Sequence, residues 1–122
     1  MAAYTNTTII ADTTNVAGFM GANVDVGFTA TMQDLVGVYD EAYLCTLFEY
    51  DIVTNWASLN AIYKLLMSEH ACRSIAIAAI TYDFNSYTDN IEAENMVKIH
   101  WQRLLDIENV LMDASKQDFQ GV

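Results

Sequence analysis

Apolar residues recur along most of this chain at intervals of three and four, and the recurrence predicts four helices. The clearest run lies near the C-terminus. Ala93, Val97, Trp101, Leu104, Ile107, Leu111 and Ala114 step by four, four, three, three, four and three. That is helical spacing sustained over about six turns. Asp89 is placed to cap this helix, and Glu92 completes a capping-box-like pattern. A second long helix is expected from Asn55 or Ser58 to about Tyr82. Leu59, Ile62, Leu66, Glu69 with His70, Arg73 and Ile77 lie along one stripe of it. Ile75, Ile80 and the neighbouring alanines make its end apolar nearly all round, as in a helix at the centre of a fold. Glu69 and Arg73 form an i,i+4 pair worth about 0.2–0.5 kcal/mol.

Upstream, residues 31–50 read as another long helix. Thr31 is the expected N-cap, and Asp34 sits three residues later near the positive end. Met32, Leu35, Val36, Tyr39, Tyr43, Leu47 and Tyr50 form the apolar face. A short helix is expected within 12–21, with Thr13 or Thr14 as cap, Val16, Phe19 and Met20 as apolar face and Gly21 as terminator. The rest of the chain connects or extends. Residues 1–12 read as an N-terminal arm carrying Tyr4. Residues 22–30 read as an extended loop that exposes Val24, Val26 and Phe28 in strict alternation. Residues 51–56 are a connection, 83–89 a polar turn, and 115–122 a polar tail with one aromatic, Phe119. The expected fold is all-α: a single small helical bundle with three long helices, a short N-terminal helix and extended arms.

Composition sharpens this picture in a few places. A chain of 122 residues suits one domain with an adequate core. Its 53% hydrophobic and 11% aromatic content argues against disorder. Proline is absent, so no helix is broken by one. The densest apolar run, IAIAAI at 75–80, falls short of the roughly 20 residues that span a bilayer. The start, MAAYTNTT, has neither the basic nor the apolar region of a signal peptide. No membrane partner is expected. The net charge of −11 comes from sixteen Asp and Glu against five Lys and Arg. Gripping nucleic-acid phosphates needs the opposite sign. The charge suits a soluble protein, a wall that DNA passes without sticking, or a surface that imitates DNA.

Candidate chemistry adds little. In TDNIEAENMVKIHWQRLLDIENVLMDA, 88–114, acids, a histidine and a tryptophan crowd together. A di-iron bundle requires Glu-x-x-His on two helices. Here Val97 stands three before His100, and Met67 three before His70. No HExxH, GxSxG, GxGxxG or P-loop occurs. Cys72 follows His70 by two positions, which face different ways on a helix. Asp40 and Glu41 read as a solvated helix face, and His100 as an edge residue with an ordinary hydrogen bond. A metal site built across helices from His70, His100 and acids is the one option left open. Cys45 and Cys72 lie in apolar helical patterns and are expected as buried free thiols in a reducing compartment. A disulfide between them is left open. No catalytic residue, metal ligand or cofactor is assigned, and the chain is not expected to be an enzyme. Tyr4, Val24, Val26, Phe28 and Phe119 are the candidate protein-interface residues, because extended segments with isolated aromatics serve docking.

The order of parts resembles the head–tail connector adaptor proteins of tailed bacteriophages. The matching pieces are TTNVAGFMG (13–21), TMQDLVGVYDEAYLCTLFEY (31–50), SLNAIYKLLMSEHACRSIAIAAI (58–80) and ENMVKIHWQRLLDIENVL (94–111). They cover most of the chain as an architecture, without a signature motif. The resemblance implies a structural adaptor in the virion neck, assembled in the host cytoplasm. It would form a homo-oligomeric ring between the portal protein and a tail or stopper protein. DNA would pass through the ring without specific binding, and the tail 115–122 would dock on the portal. The rival expectation is a small acidic inhibitor that mimics nucleic acid and binds a host protein. Deleting 115–122 is expected to leave helicity unchanged by circular dichroism, because the apolar stripes end near Ala114, and to abolish docking in a pull-down. A truncated chain that unfolds, or one that still docks, contradicts this.

Overall fold

The computed structural model describes residues 10–11, 13–20, 27–82 and 90–113, with the side chains of 13, 14 and 90–92 left aside. Every long regular element among them is a helix. Helix α1 is Thr13–Met20, α2 Ala30–Phe48, α3 Ala61–Tyr82 and α4 Asn90–Met112, with a 3-10 turn at Trp56–Ser58. This is the all-α bundle of one short and three long helices that the apolar spacing predicts. The expectations for Tyr4, Val24, Val26, Asp89, the side chain of Glu92, the 83–89 turn, Ala114 and the 115–122 tail with Phe119 lie outside the described residues.

Helix α3 is the axis. It packs against α1, α2 and α4, and it buries Met67, His70, Ala71, Cys72, Ile75, Ala76, Ala79 and Ile80. Those positions cover more than one face, as the all-round apolar pattern requires. The alanines hold neighbouring backbones close. Its start is later than expected. Asn60 caps it, with Oδ1 accepting the Ile62 N–H at 2.8 Å. Asn55 and Ser58 belong instead to the preceding turn, where the Ser58 hydroxyl bonds the Asn55 carbonyl at 3.0 Å. Cys72 is buried and Cys45 half-buried, and both are free thiols.

Helix α2 also starts elsewhere than expected. Thr29, not Thr31, is the cap: its backbone is extended and its hydroxyl accepts the Met32 N–H at 3.3 Å. At the other end Glu49 is left-handed (φ 52°). Its N–H bonds the Thr46 carbonyl, and that of Tyr50 bonds the Cys45 carbonyl at 3.1 Å. This is the paired-bond helix stop usually made with glycine.

The larger correction is the direction α2 faces. Asp34, Gly37, Asp40, Glu41 and Leu44 point inward. Met32, Leu35, Tyr39 and Tyr43, read from spacing as the buried face, are exposed. Asp40 and Glu41 are therefore not a solvated face. Helix α4 shows a smaller shift of one residue. Ala93, His100, Leu104, Ile107 and Leu111 are buried, while Trp101 is 56% exposed. His100, one position before Trp101, takes the inward place. Two expectations for the arms also change. Ile10 and Ala11, at the end of the expected 1–12 arm, are core residues. Phe28, expected to be exposed, is buried, its ring 5.6 Å from that of Tyr82. It directly precedes the α2 cap, and the entry of α2 lays it against the end of α3.

Ile75→Ala is expected to cost about 2–5 kcal/mol, because a fully buried aliphatic leaves a cavity. Trp101→Ser is expected to stay within about 0.5 kcal/mol in the monomer. Urea unfolding followed by circular dichroism checks both, and similar costs at the two positions would contradict the α4 register.

Candidate functional site

Three helices bring ionisable groups together around His70. Its Nδ1 lies 2.8 Å from Asp40 Oδ2 on α2, and its Nε2 lies 2.8 Å from Glu108 Oε2 on α4. The other oxygens are also occupied. Ser74, one turn along α3, donates its hydroxyl to Asp40 Oδ1 at 2.9 Å. Tyr43, on α2, donates its hydroxyl to Glu108 Oε1 at 3.1 Å, and its ring stacks on the His70 ring at 6.1 Å. His70 is 1% exposed and Asp40 8%.

Ionised carboxylates only accept hydrogen bonds. Facing one on each side, the imidazole carries a proton on both nitrogens and is an imidazolium. Burial alone pushes its pKa down. The hydrogen bond and charge of Asp40, and then those of Glu108, outweigh this and raise it above the ordinary 6.5. With both nitrogens engaged, His70 has no lone pair for a metal ion or for proton abstraction. The arrangement ties α2 and α4 to α3. Glu41 adds a further tie, accepting the Ile10 N–H at 3.4 Å.

A second network lies on the α1 side of α3. The expected Glu69–Arg73 pair is present at 2.7 Å, and Arg103 of α4 joins it, its Nε 2.6 Å from the same oxygen. Hydrogen bonds from Arg103 and then Arg73 hold the Glu69 carboxyl below its ordinary value, against its burial. Arg73 Nη1 lies 3.0 Å from His100 Nδ1, and His100 Nε2 lies 3.1 Å from the Phe19 carbonyl. A guanidinium only donates and a carbonyl only accepts. His100 is thus neutral, protonated on Nε2, with the ordinary hydrogen bond expected of it. Burial lowers its pKa; the Phe19 carbonyl opposes this and the Arg73 charge adds to it. The Phe19 ring supports Arg73 from 4.3 Å.

Beside these networks the surface is apolar in stripes. Met32, Leu35 and Tyr39 run along α2, with Tyr39 65% exposed, and the stripe continues to Tyr43, 48% exposed although its hydroxyl and ring also belong to the His70 network. Trp101, Leu105, Val110 and Met112 are exposed on α4, as are Ile62 and Leu65 on α3. Sequence reasoning missed both the His70 bridge and these stripes. Its one available signal was that Asp34, Asp40 or Glu41, and Leu44 also recur at helical spacing. Of the interface residues expected from sequence, Phe28 is buried and the others lie outside the described residues. Among the described residues no group of three His, Cys, Asp or Glu side chains is arranged to hold a metal ion, and no helix is long and apolar enough to cross a membrane. No protein-family model matches the chain, and neither a curated protein nor a solved structure matches it.

The two histidines give opposite pH dependences. The stabilisation from His70, whose folded pKa is raised, is full below about 6.5 and falls as pH rises through the folded value. That from His100, whose folded pKa is lowered, is full above about 6.5 and falls as pH drops through the folded value. His70→Leu is expected to cost about 3–5 kcal/mol by leaving buried charge unpaired, and to remove the decline in stability that begins near pH 6.5. Urea unfolding across a pH series checks this. An unchanged alkaline slope would mean that His70 is not charged in the fold.

Proposed function

We propose that this chain is a structural adaptor subunit that acts by assembly, forming a ring with itself through outward apolar helix faces. The setting is the one the resemblance implies: the neck of a tailed bacteriophage, between the portal protein and a tail or stopper protein, with DNA passing through. What carries the reading is the orientation of α2. Its acids face inward and its apolar stripe, Met32–Leu35–Tyr39–Tyr43, faces outward. Monomeric proteins rarely expose contiguous apolar patches larger than about a few hundred Å², and tyrosine-rich ones are typical of protein interfaces. The stripe rises roughly 16 Å along the helix, a length suited to packing against another subunit.

The rival reading, an acidic imitation of nucleic acid, receives less support from the distribution of charge. Asp34, Asp40 and Glu41 are buried, and Glu69 and Glu108 are engaged in ion pairs. Among the described residues, the exposed acids of α4 and its end, Glu94, Asp106 and Asp113, are sparse. Glu94 and Asp106 are roughly 18 Å apart along the axis, against about 3.4 Å of axis per charge on one DNA strand.

Quantitative mass spectrometry of purified particles of the virus that encodes the chain tests the proposal. A fixed low copy number per particle, matching that of the portal, is expected. Absence from particles with abundance in infected cells would overturn the adaptor and favour the acidic inhibitor.

A further inference from the structure

Arg73 and Arg103 are the only arginines in the sequence, and both line one cleft. It lies between α1, α3 and α4, has a volume of 460 Å³, and is walled by Phe19, Leu65, Ser68, Glu69 and the two guanidiniums. Each guanidinium carries five N–H donors. Arg73 commits Nε to Glu69 and Nη1 to His100, and Arg103 commits Nε and Nη2 to Glu69. Most of each fork is left for a further acceptor. Two guanidiniums face one carboxylate, and the neutral His100 adds nothing. The cleft therefore holds one net positive charge in a chain whose total is −11. Its other walls set two apolar groups, the Phe19 ring beneath Arg73 and Leu65, 72% exposed, beside the polar Ser68 and Asn15.

One positive charge beside the Phe19 and Leu65 flank fits a single carboxylate carried next to an apolar side chain. A phosphate dianion would stay half-neutralised there. We propose that this cleft receives such a carboxylate from a second copy of the chain. The inference rests on the ring reading and adds to its apolar α2 face a polar contact between copies. The chain's own surface supplies a matching segment at the end of α4. Asp113 is exposed beside Val110 and Met112, both also exposed, and Val110 and Asp113 share a helix face. On one copy, Asp113 lies roughly 15 Å along α4 from Arg103, so the two patches are separate. Cleft on one copy against α4 end on the next is a heterologous contact, the kind that generates rings when the rotation closes.

Native mass spectrometry at low ionic strength tests this on the wild-type chain and on Arg103→Glu, Asp113→Arg and Tyr39→Ser, each first checked for intact helicity. If Arg103→Glu unfolds, Arg103→Gln replaces it for the loss of association. Wild-type oligomers are expected, with Arg103→Glu and Asp113→Arg each monomeric. Mixing those two is expected to restore oligomers, because the reversed charges then face one another. Arg103→Glu oligomers as abundant as wild type, or a mixture that stays monomeric, overturns the cleft assignment. In that event loss of oligomers in Tyr39→Ser leaves the ring reading standing, and their persistence removes it too. A wild-type chain that is monomeric at its highest soluble concentration overturns the self-contact and assigns the cleft to another protein's carboxylate.

Discussion

The imidazolium of His70, held between Asp40 and Glu108, is the contact on which the orientation of α2 depends, and through α2 the character of the outer surface. Removing a carboxylate from water costs several kcal/mol. It is tolerated here because each oxygen has a donor: His70 and Ser74 for Asp40, His70 and Tyr43 for Glu108. Turning α2 so that its apolar stripe faced inward would bring Leu35 and Tyr39 against α3. It would also strip His70 of Asp40 and Glu41 of the Ile10 N–H. The observed orientation keeps the polar bonds and leaves the apolar stripe outside.

An exposed stripe changes what the molecule is suited to do. Hydrophobic attraction draws it towards another surface, while a net charge of −11 repels like copies. Association of identical chains then requires a local positive feature, and the Arg73–Arg103 cleft supplies one. The acids turned inward by α2 act in the same direction in the proposed ring, since they take negative charge off the outward face of α2. Among the described residues, the acids exposed at Glu49, Asp51, Glu94 and Asp106 keep surface outside the proposed contacts negative.

Much of the fold is legible in local spacing, because helix periodicity is a local property. Helix α4 buries Leu104, Ile107 and Leu111 as the pattern implies, and α3 is central as its alanines and isoleucines imply. The cap at Thr29 sits two positions from the expected Thr31, and that at Asn60 two and five from the expected Ser58 or Asn55, since several nearby side chains are competent to cap. What is not legible depends on distant partners. His70 meets Asp40 across 30 positions and Glu108 across 38. Nothing local distinguishes an acid that will meet a buried imidazolium from one that faces water. The rule that apolar faces turn inward therefore misplaces α2. The same limit applies to the second network. Glu69 and Arg73 are visible at i,i+4, whereas Arg103 reaches Glu69 from 34 positions away.

Nitrogen-15 NMR titration of the His70 ring in the intact chain tests the bridge most directly. The expected result is a ring protonated on both nitrogens at neutral pH, releasing its proton above the ordinary histidine value. A His70 that is neutral at pH 7, titrating at or below that value, would contradict the imidazolium bridge and with it the inward turn of the α2 acids.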